Sequence, residues 1–251
     1  MIFRDIRRYL PVLLAAAFAM TAAGCAGTAK KGGAGDKGPP ALVVDEAAID
    51  AILRKPELTE FKGYGDINMS GGGAKASGKI EAHRRSDGFV KARIYTPFGT
   101  LAASIEAEDF KGSVKVDKEV KEFAYDDKMT GISFPCAENF TYGRFINAMT
   151  GAMPDAFREL PATPDSLKQR KKTPGKATAV WNSDTLSVRA QFKGKSGKPL
   201  ILESVTFRYN IGGSKFSILY ANFKNGAARE ITFKQGSKNY INVKYESIIG
   251  R

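Results

Sequence analysis

Residues 61–109 read FKGYGDINMSGGGAKASGKIEAHRRSDGFVKARIYTPFGTLAASIEAED, and the period within them decides the fold. Phe61, Gly63, Gly65, Ile67 and Met69 alternate with Glu60, Lys62, Asp66 and Asn68. The same two-residue period runs through Ala76, Gly78, Ile80 and Ala82, through Val90, Ala92 and Ile94, and through Leu101, Ala103, Ile105 and Ala107. Turn clusters separate the runs: Ser70-Gly71-Gly72-Gly73, Ser86-Asp87-Gly88 and Pro97-Phe98-Gly99. Successive side chains of a strand point to opposite faces. Alternation between turn signals therefore predicts antiparallel hairpins with one buried face.

The pattern continues on both sides of a central interruption. Phe110, Val114 and Val116 alternate with Lys111, Lys115 and Asp117. Further on, Leu186 to Phe192, Val205 to Tyr209, Phe216 to Tyr220, Ile231 with Phe233, and Ile241 to Tyr245 repeat it. Between these blocks, AENFTYGRFINAM (137–149) places Phe140, Phe145, Ile146 and Met149 at helical spacing, and Pro154 to Leu160 can add a helical turn. A basic connection follows, with Lys168, Arg170, Lys171, Lys172 and Lys176. Near the start, Asp45 can cap a short helix that Pro56 stops. The expected class is α+β: about eleven antiparallel strands in one sheet, which at that size curls. Helices near 45–55 and 137–160 cover its apolar face.

The inner face is rich in small residues: Gly63, Gly65, Ala76, Gly78, Ala82, Ala92, Ala103 and Ala107. Small residues on a curved wall either leave an apolar hollow or make room for large side chains such as Phe140 and Phe145. Both readings stand on the sequence alone.

The N-terminus reads as a targeting segment. Arg4, Arg7 and Arg8 precede an apolar run, Leu10 to Ala23, shorter than the about 20 residues a spanning helix needs. It ends in Ala22-Ala23-Gly24-Cys25, which looks like a bacterial lipobox, with cleavage before Cys25 and lipidation on it. An ordinary secretory signal with an incidental cysteine is the alternative. Residues 25–41 then form the lipidated cysteine and a flexible tether, AGTAKKGGAGDKGPP, and residues 42–251 a single folded domain.

Composition narrows the function. The chain carries 39 basic and 26 acidic side chains, a net charge of +13. For an exported chain this points away from nucleic acid and to an anionic lipid surface, with a solvated basic surface as the alternative. With Cys25 lipidated, Cys136 has no disulfide partner, and His83 is the only histidine. No phosphate loop, metal-ligand spacing or Gly-x-Ser-x-Gly elbow is present. The expectation is a binding protein, with no cofactor and no metal, rather than an enzyme.

The order of segments resembles the LolB family of outer-membrane lipoprotein-insertion proteins and, more distantly, their soluble carrier LolA. The stretches carrying it are FKGYGDINMS, AKASGKIEAHRRSDGFVKARIYTPFGTLAASIEAED with its Pro97-Phe98-Gly99 turn, GISFPCAENFTYGRFINAMTGAMP, and the closing AREITFKQGSKNYINVKYESIIG. The resemblance implies a half-open antiparallel barrel with a helical lid over an apolar cavity. Phe61, Ile67, Ile80, Ile94, Leu101, Ile105, Phe140, Phe145, Met149 and Phe207 are the cavity-lining candidates. It further implies a monomer at the periplasmic face of the outer membrane, receiving lipoprotein acyl chains from a LolA-like carrier and passing them to outer-membrane lipids. Phe98 is then the membrane-insertion candidate, projecting outward; folding back to cap the barrel mouth is its alternative. The competing function is an envelope lipid- or glycolipid-binding lipoprotein on the same scaffold, with no sorting role.

Overall fold

A computed structural model describes residues 44–250 except 56–57, 72–73, 117, 130–140, 170–174, 196–197, 199, 212–213, 225 and 237–238. The chain divides into two units, Met1–Gly38 and Pro39–Arg251. The leader, Cys25, the tether, Cys136, Phe140 and residues 170–172 of the basic stretch lie outside the described residues.

The second unit is one antiparallel sheet. Its first six strands are β1 (Phe61–Gly71), β2 (Ala74–Arg84), β3 (Val90–Tyr95), β4 (Leu101–Glu108), β5 (Lys111–Val116) and β6 (Glu119–Ala124). After a crossing segment come β7 (Ser166–Gln169), β8 (Lys176–Asn182), β9 (Leu186–Lys193), β10 (Ile201–Ile211), β11 (Ser214–Lys224), β12 (Ala227–Gln235) and β13 (Asn239–Gly250). Across the sheet the order is β6-β5-β4-β3-β2-β1-β13-β12-β11-β10-β9-β8-β7. Each half is a meander of sequence neighbours. The halves join where the last strand pairs with the first, with Ile67 opposite Val243.

Thirteen strands replace the expected eleven. The basic stretch expected to be a connection contributes Lys168 to β7 and Lys176 to β8. β8 buries Ala177 and Ala179, small residues that give a faint apolar signal. Phe110, expected to point inward, sits instead in the β4–β5 turn. There Asp109 and Phe110 both take positive φ (48° and 64°), and Phe110 is exposed with its ring edge-on to Tyr125 at 5.6 Å.

Burial alternates as the period requires. Phe61, Gly63, Gly65 and Ile67 face the core on β1, and Val90, Ala92 and Ile94 on β3. The inward residues form one cluster running from Val44 to Tyr245, so Pro39–Arg251 carries its own core and is equipped to fold alone.

Two helices meet this face. In α1 (Glu46–Leu53), the Asp45 carboxylate caps the first turn, accepting from the Ala48 N–H at 2.7 Å, and Ile49 and Leu53 are buried. Thr141 caps α2 (Tyr142–Met149), its hydroxyl accepting from the Arg144 N–H at 3.3 Å. A short 3-10 turn, Asp155–Phe157, follows, and among the described residues the region expected to be helical over 137–160 holds α2 and this turn.

The position of α2 shows how strongly the sheet curves. Tyr142 stacks on Phe123 of β6 at 3.9 Å, Phe145 packs on Phe233 of β12 at 5.1 Å, and Arg144 lies over Tyr209 of β10 at 4.7 Å. β6 and β10 are nine strands apart in the sheet order. On a flat sheet that is roughly 43 Å. A helix of eight residues is about 12 Å long. The sheet must therefore curl around α2.

Strand direction also sorts the turns. Those of β1–β2, β3–β4, β5–β6, β8–β9, β10–β11 and β12–β13 lie at one end, with the Pro97-Phe98-Gly99 turn among them. The β9–β10 and β11–β12 turns lie at the other end.

Candidate functional site

The concave face gathers most of the residues singled out in the sequence. Phe61, Ile67, Ile80, Ile94, Ile105 and Phe207 on the strands, and Phe145 and Met149 on α2, are all buried in one cluster. Leu101 is the exception: expected to face the cavity, it is 43% exposed. The cause is a register shift. Ile94 pairs with Ala103 but Tyr95 pairs with Leu101, leaving Ala102 as the extra residue of a bulge. Paired residues share a face, so Leu101 joins Tyr95, whose hydroxyl reaches Glu81 at 3.5 Å on the outer surface.

The small inward residues make room for rings. A Cβ added at Gly63 would lie 2.7 Å from both Phe61 Cζ and Tyr245 Cδ1, and one at Gly143 would lie 2.7 Å from Tyr125 Cδ2. Phe61 and Tyr245 meet edge to face at 5.2 Å, and Phe207 lies 5.9 Å from Tyr220 and 6.0 Å from Phe157.

Two phenols tie the crossing segment to this face. The Tyr245 hydroxyl donates to the Met149 carbonyl at the end of α2, and the Tyr220 hydroxyl donates to the Ala152 carbonyl at 3.3 Å. Burial pushes both phenols well above their ordinary range, so both stay neutral donors at physiological pH. The Tyr142 hydroxyl is buried with no hydrogen-bond partner among the described residues.

A cavity of about 280 Å³, mostly apolar but with Lys55 and Arg158 on its wall, lies at the end opposite Phe98. Ile52 and Leu53 of α1, Leu58, Phe157, Leu202 and Phe223 are among its walls. None of the sequence's cavity candidates among the described residues lines it. The apolar face of α1 was legible, but its partners, drawn from a chain segment more than a hundred residues away, were not.

The Phe98 turn is well tied. The Gly99 N–H donates to the Thr96 carbonyl at 2.9 Å, and the Thr96 N–H donates to the Thr100 carbonyl at 2.8 Å. The Thr100 N–H also donates to the Thr96 hydroxyl at 3.2 Å. Gly99 has φ +82°, a conformation that suits glycine. The result is a phenyl ring 95% exposed at the tip, with Leu101, Val116 and Val120 also exposed at this end.

Among the described residues, no group of three or more His, Cys, Asp or Glu side chains is placed to hold a metal, and no helix is long and apolar enough to cross a membrane. His83 is half-buried on β2 opposite Lys62 and Lys91.

No family model and no curated protein matches the chain. Solved structures do. A DUF1329 family protein from Desulfovibrio piger is 6% identical with TM-score 0.52, over 82% of this chain and 94% of that one. A LolA superfamily protein from Nitrosomonas europaea is 12% identical with TM-score 0.48, over 83% and 94%. A candidate outer membrane lipoprotein-sorting protein domain from Vibrio parahaemolyticus is 8% identical with TM-score 0.46, over 82% and 91%. At this identity the likeness to the Desulfovibrio protein is one of fold alone, over most of both lengths.

Proposed function

We propose that this protein is an envelope lipid-binding protein of LolB-like kind. Tethered through acyl groups on Cys25, it takes the acyl chain of another lipoprotein from a LolA-like carrier onto its concave face. It then releases that chain to the outer membrane, by affinity alone and without covalent chemistry. Hydrocarbon makes no hydrogen bonds, so a face lined by Ile80, Ile94, Ile105, Phe145 and Phe207 can accept it by burial. The side chains of α2 occupy the space an acyl chain would fill, which gives that helix the role of lid.

The observation that carries the reading is Phe98. A turn held by three hydrogen bonds keeps its ring 95% exposed. Covering such a ring with hydrocarbon recovers about 1.5–3 kcal/mol. An interfacial aromatic at the tip of a rigid turn suits the surface of a bilayer.

The test uses the Pro39–Arg251 unit loaded with a fluorescent diacylated lipopeptide and mixed with phosphatidylcholine vesicles. Phe98→Glu should leave lipopeptide binding intact and slow its transfer to vesicles about tenfold or more. Transfer at the unaltered rate sinks the reading. The cavity beside α1, about 280 Å³ and mostly apolar, favours a second reading: binding of one free lipid with no lipoprotein traffic. Depletion in cells separates the two, because only the first leaves other lipoproteins stranded on their carrier.

A further inference from the structure

A groove of about 510 Å³ opens at the Phe98 end of the sheet, among the β8–β9, β10–β11 and β12–β13 turns. We propose that it binds the phosphate of an anionic, hydroxyl-bearing ligand, with Arg208, Lys215 and Lys234 as cationic donors grouped around Ser217. This inference does not rest on the acyl-chain reading.

The ladder fixes the arrangement. Arg208 pairs with Ser187 on one side and Ser217 on the other, and Ser217 pairs with Lys234. Paired residues share a face, so Ser187, Arg208, Ser217 and Lys234 form a row across four strands spaced about 4.8 Å apart. Lys215 lies two residues before Ser217 on β11 and therefore on the same face. The residues between, Tyr209 and Phe216, are buried, so this row faces outward. A short hydroxyl side chain thus sits amid three long cationic ones. Over it there is room for a tetrahedral oxyanion, with Ser217 as a further donor, while the Ser187 hydroxyl donates to Asn182 Oδ1 at 2.9 Å and keeps its oxygen as an acceptor.

Three cations without an acidic partner among the described residues meet on this one groove, whereas several others on the outer surface are paired. Lys79 is paired with Asp66 at 2.7 Å and with Glu246 at 3.0 Å, Lys91 with Glu106, and Lys176 with Glu203 at 2.8 Å. Arg208, Lys215 and Lys234 are exposed, and none is ion-paired among the described residues. Asp184 is the one carboxylate on the groove wall. Like charges held this close repel, and an anion between them turns that repulsion into attraction. Arg208 supplies the planar fork that suits phosphate oxygens, and the two lysines supply point charges. The serine hydroxyls suit a ligand that carries hydroxyls as well as phosphate.

Two sources offer this chemistry, a bilayer headgroup and a free phosphoester. The experiment uses the Pro39–Arg251 unit, the double variant Arg208→Ala/Lys234→Ala, and a control, Lys195→Ala/Lys224→Ala, that removes the same charge from exposed positions at the opposite end. The probes are glycerol 3-phosphate, followed by calorimetry, and phosphatidylcholine vesicles containing phosphatidylglycerol, followed by sedimentation. The groove variant should lose about thirty-fold in vesicle affinity, or about tenfold or more for the soluble probe, while the control changes less than about threefold. Binding to vesicles alone assigns the ligand to a bilayer headgroup, and binding to the soluble probe assigns it to a free phosphoester. The proposal is overturned by equal losses in the two variants, by unchanged binding in the groove variant, or by an unaltered protein that binds neither probe.

Discussion

Tyr245 illustrates how single side chains hold the concave face together. Its ring fills the space that Gly63 leaves open, and its hydroxyl satisfies the Met149 carbonyl at the end of α2. Removing the hydroxyl strands a buried acceptor. Tyr245→Phe should therefore lower unfolding free energy in urea by about 1–3 kcal/mol, with the m-value unchanged. The inward position of Gly63 was legible from the two-residue period. Which ring would fill the space above it was not, because Tyr245 arrives from the other end of the chain. Gly65 has a different reason for being small: a Cβ there would lie 2.1 Å from the Lys244 carbonyl oxygen, at the point where the β1–β13 register shifts. Leu101 shows the converse. Its apolar character and parity place it inside, and one extra residue in the ladder turns it out.

At the scale of elements, α2 depends on its surroundings. Eight residues are fewer than the about 12–15 that an isolated helix needs to be even marginal. Its stability comes from Tyr142, Phe145, Ile146 and Met149, all buried against the sheet. Phe145→Ala should cost about 3–5 kcal/mol. Hydrogen exchange at the Phe145 and Thr150 amides, which bond to Thr141 and Ile146, should quicken more than exchange in β12 or β13. Protection unchanged in α2 would show that the helix is held by something other than this face. The spacing in 137–149 made this helix legible, and the alternation in 61–107 made the first four strands legible. The β6 and β7 strands, EVKEFA and SLKQ, were obscured because they are sheet edges with mostly exposed residues on both faces. An edge strand needs no clean apolar stripe to be held in place.

Over the whole sheet, the last strand is the central one. β13 stands with six strands on either side and joins the two meanders through β1 and β12. Neither half is complete without it. A chain ending at Gln235 should fail to give a cooperative urea transition and should be digested rapidly by protease. A cooperative transition in that chain would show the halves to be independent. Pairing between strands so distant in sequence also places folding in the slow regime of milliseconds to seconds.

Alternation of side chains, turn residues and helix caps act over a few positions. The sequence by itself therefore determined that the chain is an antiparallel sheet with one apolar face, a capped helix at Asp45 and a turn at Pro97-Phe98-Gly99, while the structure decided that Phe98 points outward. The tertiary structure decided that β1 pairs with β13 and that the sheet curls around α2. It decided that aromatic rings take up the space above Gly63, and that Arg208 and Lys234 flank Ser217. These depend on contacts between residues far apart in the chain. Their strength comes from packing and charge in three dimensions, which no local period encodes.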